Sequence, residues 1–207
     1  MTDKTGMTVR GKTGDYKIIK QLPKKQQGGM GVVFFGETLS KPKKEVVIKF
    51  ASGGDEEKER RLKNEAGYLR KFRNQCENIV LYIDESEDGA DEFFLVMEKL
   101  EGKDLQETIE ELGTKKLDEK TVIKFSKDIA NALQFIHNKF LYHRDLKPDN
   151  IMIVRRNGEE RCILIDFGTG KDAKGVSTIF KIGTEQWSCW HNFHAPKKVS
   201  GVCDIYA

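Results

Sequence analysis

The stretch His143-Arg144-Asp145-Leu146-Lys147-Pro148-Asp149-Asn150 concentrates a carboxylate, a lysine and an amide, then runs into an apolar segment, Ile151 to Val154. A second apolar segment, Cys162 to Ile165, ends in Asp166-Phe167-Gly168. Between the two stands Arg155-Arg156-Asn157-Gly158-Glu159-Glu160. Asn-Gly favours the centre of a two-residue hairpin turn because both residues tolerate positive φ. Such a turn sets Arg156 opposite Glu159, and counting back along the ladder brings Asn150 and Asp166 together. Facing side chains are about 5 Å apart at Cβ, near enough for two oxygen donors to share a hard cation such as magnesium. The hairpin therefore predicts a metal site, with the Asp145 carboxylate just upstream.

The elements that must position these groups follow from periodicity. Residues 1–14 are rich in Thr, Lys and Gly with few apolar side chains and are expected to form a mobile tail. Strands are predicted at Tyr16 to Leu22, Gly31 to Thr38, Glu45 to Phe50, Ile79 to Ile83 and Phe93 to Met97. The first two flank Gln26-Gln27-Gly28-Gly29-Met30-Gly31, where clustered glycines let backbone amides approach a ligand closely. Alternation in the third puts Val47 and Lys49 on one face and Val46, Ile48 and Phe50 on the other. A lysine sharing a face with valine needs a counter-ion or a ligand. The helix predicted from Asp55 to Arg73 offers Glu65 on the stripe formed by Leu62, Leu69 and Phe72. A short helix, Asp104 to Leu112, comes next. A longer one follows the cap Asp118 and carries Val122, Phe125, Ile129, Ala132 and Ile136 on one face. The organisation is a strand-rich lobe over residues 15–100 and a mainly helical lobe over 101–207, an α+β class.

At 207 residues, the chain is long enough for two small lobes with ample core. Its 36 basic and 33 acidic residues leave a net charge of +3, too weak to argue for nucleic acid. No apolar run approaches the roughly 18 residues of a membrane helix, and residues 1–15 lack the apolar core of a signal peptide. A cytoplasmic protein is expected, with no membrane and no nucleic-acid partner. Cys76, Cys162, Cys189 and Cys203 are scattered without paired spacing, which reads as reduced thiols. His191 and His194 lie near Cys189, but three ligands on an aromatic-rich loop read as incidental rather than as a metal cage.

Taken in order, these residues resemble the eukaryotic-type protein kinases, specifically the serine/threonine branch, over about Tyr16 to Tyr206. The pieces are Gly28, Gly31 and Val33; Val46-Val47-Ile48-Lys49; Glu65; His143 to Asn150; Asp166-Phe167-Gly168; Gly183-Thr184; and Asp204-Ile205-Tyr206. The resemblance implies a bilobal protein-kinase-like fold and transfer of the ATP γ-phosphoryl group to a protein serine or threonine hydroxyl. Gly28 and Gly31 would cover the ATP phosphates, and Val33, Val47 and Met152 would sandwich the adenine. Backbone groups of Glu98 and Leu100 would meet its edge, with Asp104 at the ribose. Lys49 would hold the α- and β-phosphates and be held by Glu65. Asn150 and Asp166 would coordinate Mg2+, Asp145 would orient the acceptor hydroxyl and take its proton, and Lys147 would neutralise the moving phosphoryl group. Lys147 together with Gly183-Thr184 goes with serine or threonine acceptors, and Thr184 is counted among the catalytic residues. Arg144 suggests control by a phosphorylated loop residue, Ser177 or Thr178.

The chain departs from that pattern in three places. Gln26 stands where the first loop glycine usually sits. Cys189-Trp190-His191 occupies the place of Ala-Pro-Glu, and Trp187 replaces a common tyrosine. Asp204-Ile205-Tyr206 looks like the start of the large lobe's central helix, where Asp204 would bind backbone around His143, yet the chain stops at Ala207. A fragment of a longer kinase is the expectation. An ATP-binding pseudokinase or interaction module is the alternative function.

Overall fold

The structure, a computed structural model, describes residues 3–23, 31–51, 53–168, 171–172, 184, 186–194 and 198–207. It divides into two units, one of Met1–Asn74 with Leu81–Lys99 and the other of Gln75–Val80 with Leu100–Ala207. The expected boundary near residue 100 needs one correction, because Gln75–Val80 belongs with the second unit. Backbone bonding explains it: Asn78 O accepts from Leu164 N, Val80 N donates to Leu164 O, and the Asn78 amide donates to Cys162 O.

Among the described residues the first unit is a six-stranded antiparallel sheet with one helix. Its strands are β1 (Thr8–Arg10), β2 (Asp15–Gln21), β3 (Gly31–Thr38), β4 (Glu45–Ala51), β5 (Tyr82–Glu85) and β6 (Phe94–Glu98), in the order β1-β2-β3-β4-β6-β5. Alternation sends Val46, Ile48 and Phe50 into a core with Tyr16, Ile18, Phe34, Phe94 and Val96. Phe34 meets Phe50 edge to face with ring centroids 5.7 Å apart, a favoured aromatic arrangement. Helix α1 (Glu56–Phe72) starts at Asp55, whose carboxylate accepts from the N–H groups of Glu57 and Lys58. It buries Leu62, Glu65, Ala66, Leu69 and Phe72 at helical spacing.

Strand β1 corrects the expectation of a mobile tail. Val9 packs against the core, Ile18 N donates to Met7 O, and Gly6 N donates to Ile18 O. Backbone pairing with β2 orders a segment whose side chains carry almost no apolar pattern.

The second unit holds β7 (Gly102–Asp104), α2 (Leu105–Leu112), α3 (Glu119–His137), β8 (Leu141–Tyr142), a 3-10 turn at Pro148–Asn150, β9 (Ile151–Arg156), β10 (Glu159–Leu164), β11 (Lys171–Asp172), α4 (Trp190–His194) and α5 (Gly201–Tyr206). Strands β10, β9 and β7 form one sheet, and β11 pairs with β8. The β9–β10 hairpin turns on Asn157 at φ 52° and Gly158 at φ 82°, the positive values that its turn type demands. Arg156 faces Glu159 as expected.

Helix α3 buries Phe125, Asp128, Ala132, Leu133 and Ile136, while Val122, expected on that face, is 45% exposed. The acid on the buried stripe has a purpose. Asp128 Oδ2 accepts from Cys162 N at 3.0 Å, and its Oδ1 accepts from Arg161 at 3.1 Å. It thereby fixes β10, the strand that leads to Asp166, onto α3. Removing a buried acceptor leaves an N–H without a partner, so Asp128→Ala is expected to destabilise the protein by about 2 kcal/mol in urea unfolding. Arg161→Ala, at a solvent-facing partner, is expected to cost clearly less.

Candidate active site

In the first unit, the centre is an ion pair. Lys49 and Glu65 are 7% and 1% exposed, and their charged atoms lie 2.8 Å apart. The alternation of β4 supplies the lysine and the periodicity of α1 the glutamate, so the counter-ion sought from sequence is the one found. Val33 stands opposite Lys49 across the β3–β4 ladder, and Val47 stands opposite Phe35 and Met97. Gly31 is required to be glycine: a Cβ there would lie 2.5 Å from the Phe50 carbonyl oxygen and 3.3 Å from Lys49 Cγ. Glu98 pairs with Leu81 by N–H to O and again through its carboxylate, which accepts from Leu81 N at 2.9 Å. Gln26 and Gly28 lie outside the described residues.

In the second unit, the centre is the loop after β8. Asp204 on α5 accepts from His143 N and Arg144 N, each at 2.8 Å, and its Oδ2 lies 2.8 Å from His137 Nε2. Burial alone would raise this carboxyl, but the His137 ring, His143 and the two backbone N–H groups hold it below the usual carboxylate range. Arg144 is buried at φ 70°, a left-handed conformation that non-glycine residues seldom adopt. His143 is fully enclosed, its ring centroid 5.2 Å from that of buried Phe167. Enclosure pushes its imidazole below the ordinary value despite the carboxylates of Asp204, Asp166 and Asp145, so it stays neutral at pH 7.

From that loop three groups converge. Thr184 Oγ1 donates to Asp145 Oδ1 at 2.8 Å and accepts from Lys147 Nζ at 3.1 Å, while Lys147 Nζ lies 3.5 Å from Asp145 Oδ2. Asn150 donates its amide to Asp145 O at 2.8 Å. Asp166 Oδ1 accepts from Gly168 N, closing a tight turn. The ladder departs from the expected pairing of Asn150 with Asp166. Ile151 faces Leu164, and Ile165 N donates to Asn150 O, so Asp166 stands one residue beyond. Strand β7 brings Asp104 opposite Met152, and Asp104 caps α2 by accepting from Glu107 N at 2.7 Å. Burial raises the Asp104 carboxyl against that bond. Leu100 opens the second unit and is half-buried. Gly183, Ser177 and Thr178 lie outside the described residues.

Asn192 is a support that no sequence signal announced. It is buried on α4, and its amide donates to Arg144 O at 3.0 Å. Burial pushes the Cys162 thiol up to about 12, which disfavours its thiolate.

Comparison with known proteins gives the family of the chain. The profile described as "Protein kinase domain" matches residues 20–206. The chain is 34% identical to serine/threonine-protein kinase pkn3 of Myxococcus xanthus over 148 residues, which cover 70% of this chain and 26% of that relative. It is 32% identical over 178 residues to pkn2 of the same organism, covering 82% of this chain and 20% of that protein. With MAP kinase-activated protein kinase 2 of Mus musculus the identity is 26% over 211 residues, 99% of this chain and 52% of the relative. A solved kinase domain superposes with a TM-score of 0.79 at 23% identity, over 100% of this chain and 64% of that one. The chain belongs to the protein kinase family and has its α+β fold, although it spans half or less of the length of most of these curated relatives. Among the described residues no helix is long and apolar enough to cross a membrane.

The two buried groups that hold the loop set a pH dependence. The folded value of His143 lies below its unfolded value near 6.5, so its contribution is complete above about pH 6.5 and is lost as pH falls. Asp204 is likewise depressed, so its contribution is present above about pH 4 and is lost as pH falls through the folded value. Urea unfolding across a pH series is expected to show stability declining in both windows. Asp204→Asn should reduce the lower decline and cost about 2 kcal/mol at pH 7. A variant with the parent's pH curve would contradict the assignment.

Proposed function

We propose that this chain carries the catalytic part of a protein kinase that moves the ATP γ-phosphoryl group onto a serine or threonine hydroxyl. The observation that carries the proposal is the convergence of Asp145, Lys147 and Thr184 within hydrogen-bonding distance. Asp145 is the group to orient an acceptor hydroxyl and take its proton, an oxygen acceptor now occupied by the Thr184 hydroxyl in the way a substrate hydroxyl would occupy it. Lys147 supplies the positive charge that a transferring phosphoryl group calls for.

The donor set also suits a hard divalent cation. With its amide nitrogen committed to Asp145 O, Asn150 presents an oxygen, and Asp166 offers a carboxylate. Asn150 and Asp166 would hold Mg2+, which would supply positive charge to offset that of the phosphates. On the first unit, Lys49 is the residue to hold the α- and β-phosphates, with Glu65 keeping its ammonium in place. Gly28 and Gly31 belong to the loop over the phosphates, and Val33 and Val47 are apolar contacts for the base. On the second unit, Met152 and the backbone of Leu100 serve the base and Asp104 the ribose, while the Glu98 backbone contributes from β6. An ATP-rich cytoplasmic compartment and a protein substrate complete the proposal.

Radiolabelled ATP with a generic protein substrate tests it. Asp145→Asn is expected to lower transfer by about 10²- to 10⁴-fold while leaving ATP binding in place. Lys49→Met is expected to weaken ATP binding as well as turnover. Nucleotide binding with no transfer by the parent chain would favour an interaction module instead.

A further inference from the structure

The geometry points to a zinc site in the second unit, built from the thiolates of Cys189 and Cys203 and the imidazole of His191. The ligand atoms of these three residues lie within 4.8 Å of one another, with Cys189 Sγ 4.0 Å from His191 Nδ1. Both cysteines are buried and His191 is half-buried. The thiols pack with Val199 and Tyr142, so the sulfurs sit in a largely apolar nest. Tetrahedral zinc, with bonds of about 2.1 Å to nitrogen and 2.3 Å to sulfur, needs its ligand atoms about 3.4 to 3.8 Å apart. The three atoms therefore need to converge by about an ångström or less, which side-chain rotation supplies. His194 is stacked on Trp190 at a centroid distance of 4.8 Å and is not one of the three converging ligands.

Sequence spacing groups Cys189 with His191 and His194 alone. The fold brings in Cys203 from α5. The three ligands come from two segments that both grip the same backbone: Asn192 on α4 bonds Arg144 O, and Asp204, next to Cys203, bonds Arg144 N and His143 N. A metal bound here would staple those two segments to each other behind the Asp145 loop. It would act as a support and take no part in chemistry at Asp145. A thiol pair alone would be compatible with a disulfide, but the imidazole facing Cys189 Sγ argues for a metal, which uses nitrogen and sulfur together.

The test uses the full chain, expressed untagged in zinc-supplemented medium and analysed by elemental mass spectrometry after dialysis. About one zinc per chain is expected, retained by Cys76→Ser and lost by the double variant Cys189→Ser, Cys203→Ser. Cobalt added to the zinc-stripped parent protein should give thiolate-to-cobalt charge-transfer absorbance, and this reading stands even where the double variant does not fold. Absence of that absorbance in the parent overturns the proposal. Zinc retained by the double variant also overturns it, as does a Cys189–Cys203 disulfide in metal-free parent protein.

Discussion

The second unit depends on one carboxylate. Asp204 accepts from two consecutive backbone N–H groups, His143 and Arg144, and lies beside His137. The magnitudes show why it is needed. A left-handed Arg144 costs about 1 to 3 kcal/mol, and each hydrogen bond to a charged acceptor returns about 1.5 to 3 kcal/mol. Two such bonds outweigh the strain, whereas a neutral acceptor making one bond would leave the balance near zero. The strained turn directs Asp145 toward Lys147 and Thr184, so the site's geometry rests on an aspartate that is not part of the site.

The ion pair of the first unit obeys a different logic. A buried pair such as Lys49–Glu65 is weak evidence for stability, because desolvating both charges offsets most of their attraction. Well-packed apolar residues at these two positions would fold at least as well. Its presence is better understood through what a fixed ammonium can bind, and Gly31, which admits only glycine beside Lys49, points the same way.

Much of both units was legible in the residues. Asn157-Gly158 announces its hairpin because the turn imposes positive φ, and the β4 alternation with the α1 period points to the Lys49–Glu65 pair. What was not legible has physical causes. Strand β1 is held by backbone bonds, which carry no side-chain signature. Asp128 occupies the buried stripe of α3 because β10 presents it with donors, and hydropathy alone cannot anticipate a polar partner from elsewhere in the chain. The register bringing Ile165 to Asn150 is set by the hairpin ladder. Pairing Asn150 with Asp166 would require a ladder shifted by one residue. Cys203 on α5 approaches Cys189 through a tertiary contact invisible to spacing.

The most direct measurement of the role given to Asp204 is amide hydrogen exchange at His143 and Arg144, read residue by residue in the parent protein. Strong protection of both amides, comparable to that of the β9–β10 ladder, is predicted, because each is buried and bonded to a charged acceptor. Exchange at the rate of an open loop would contradict it.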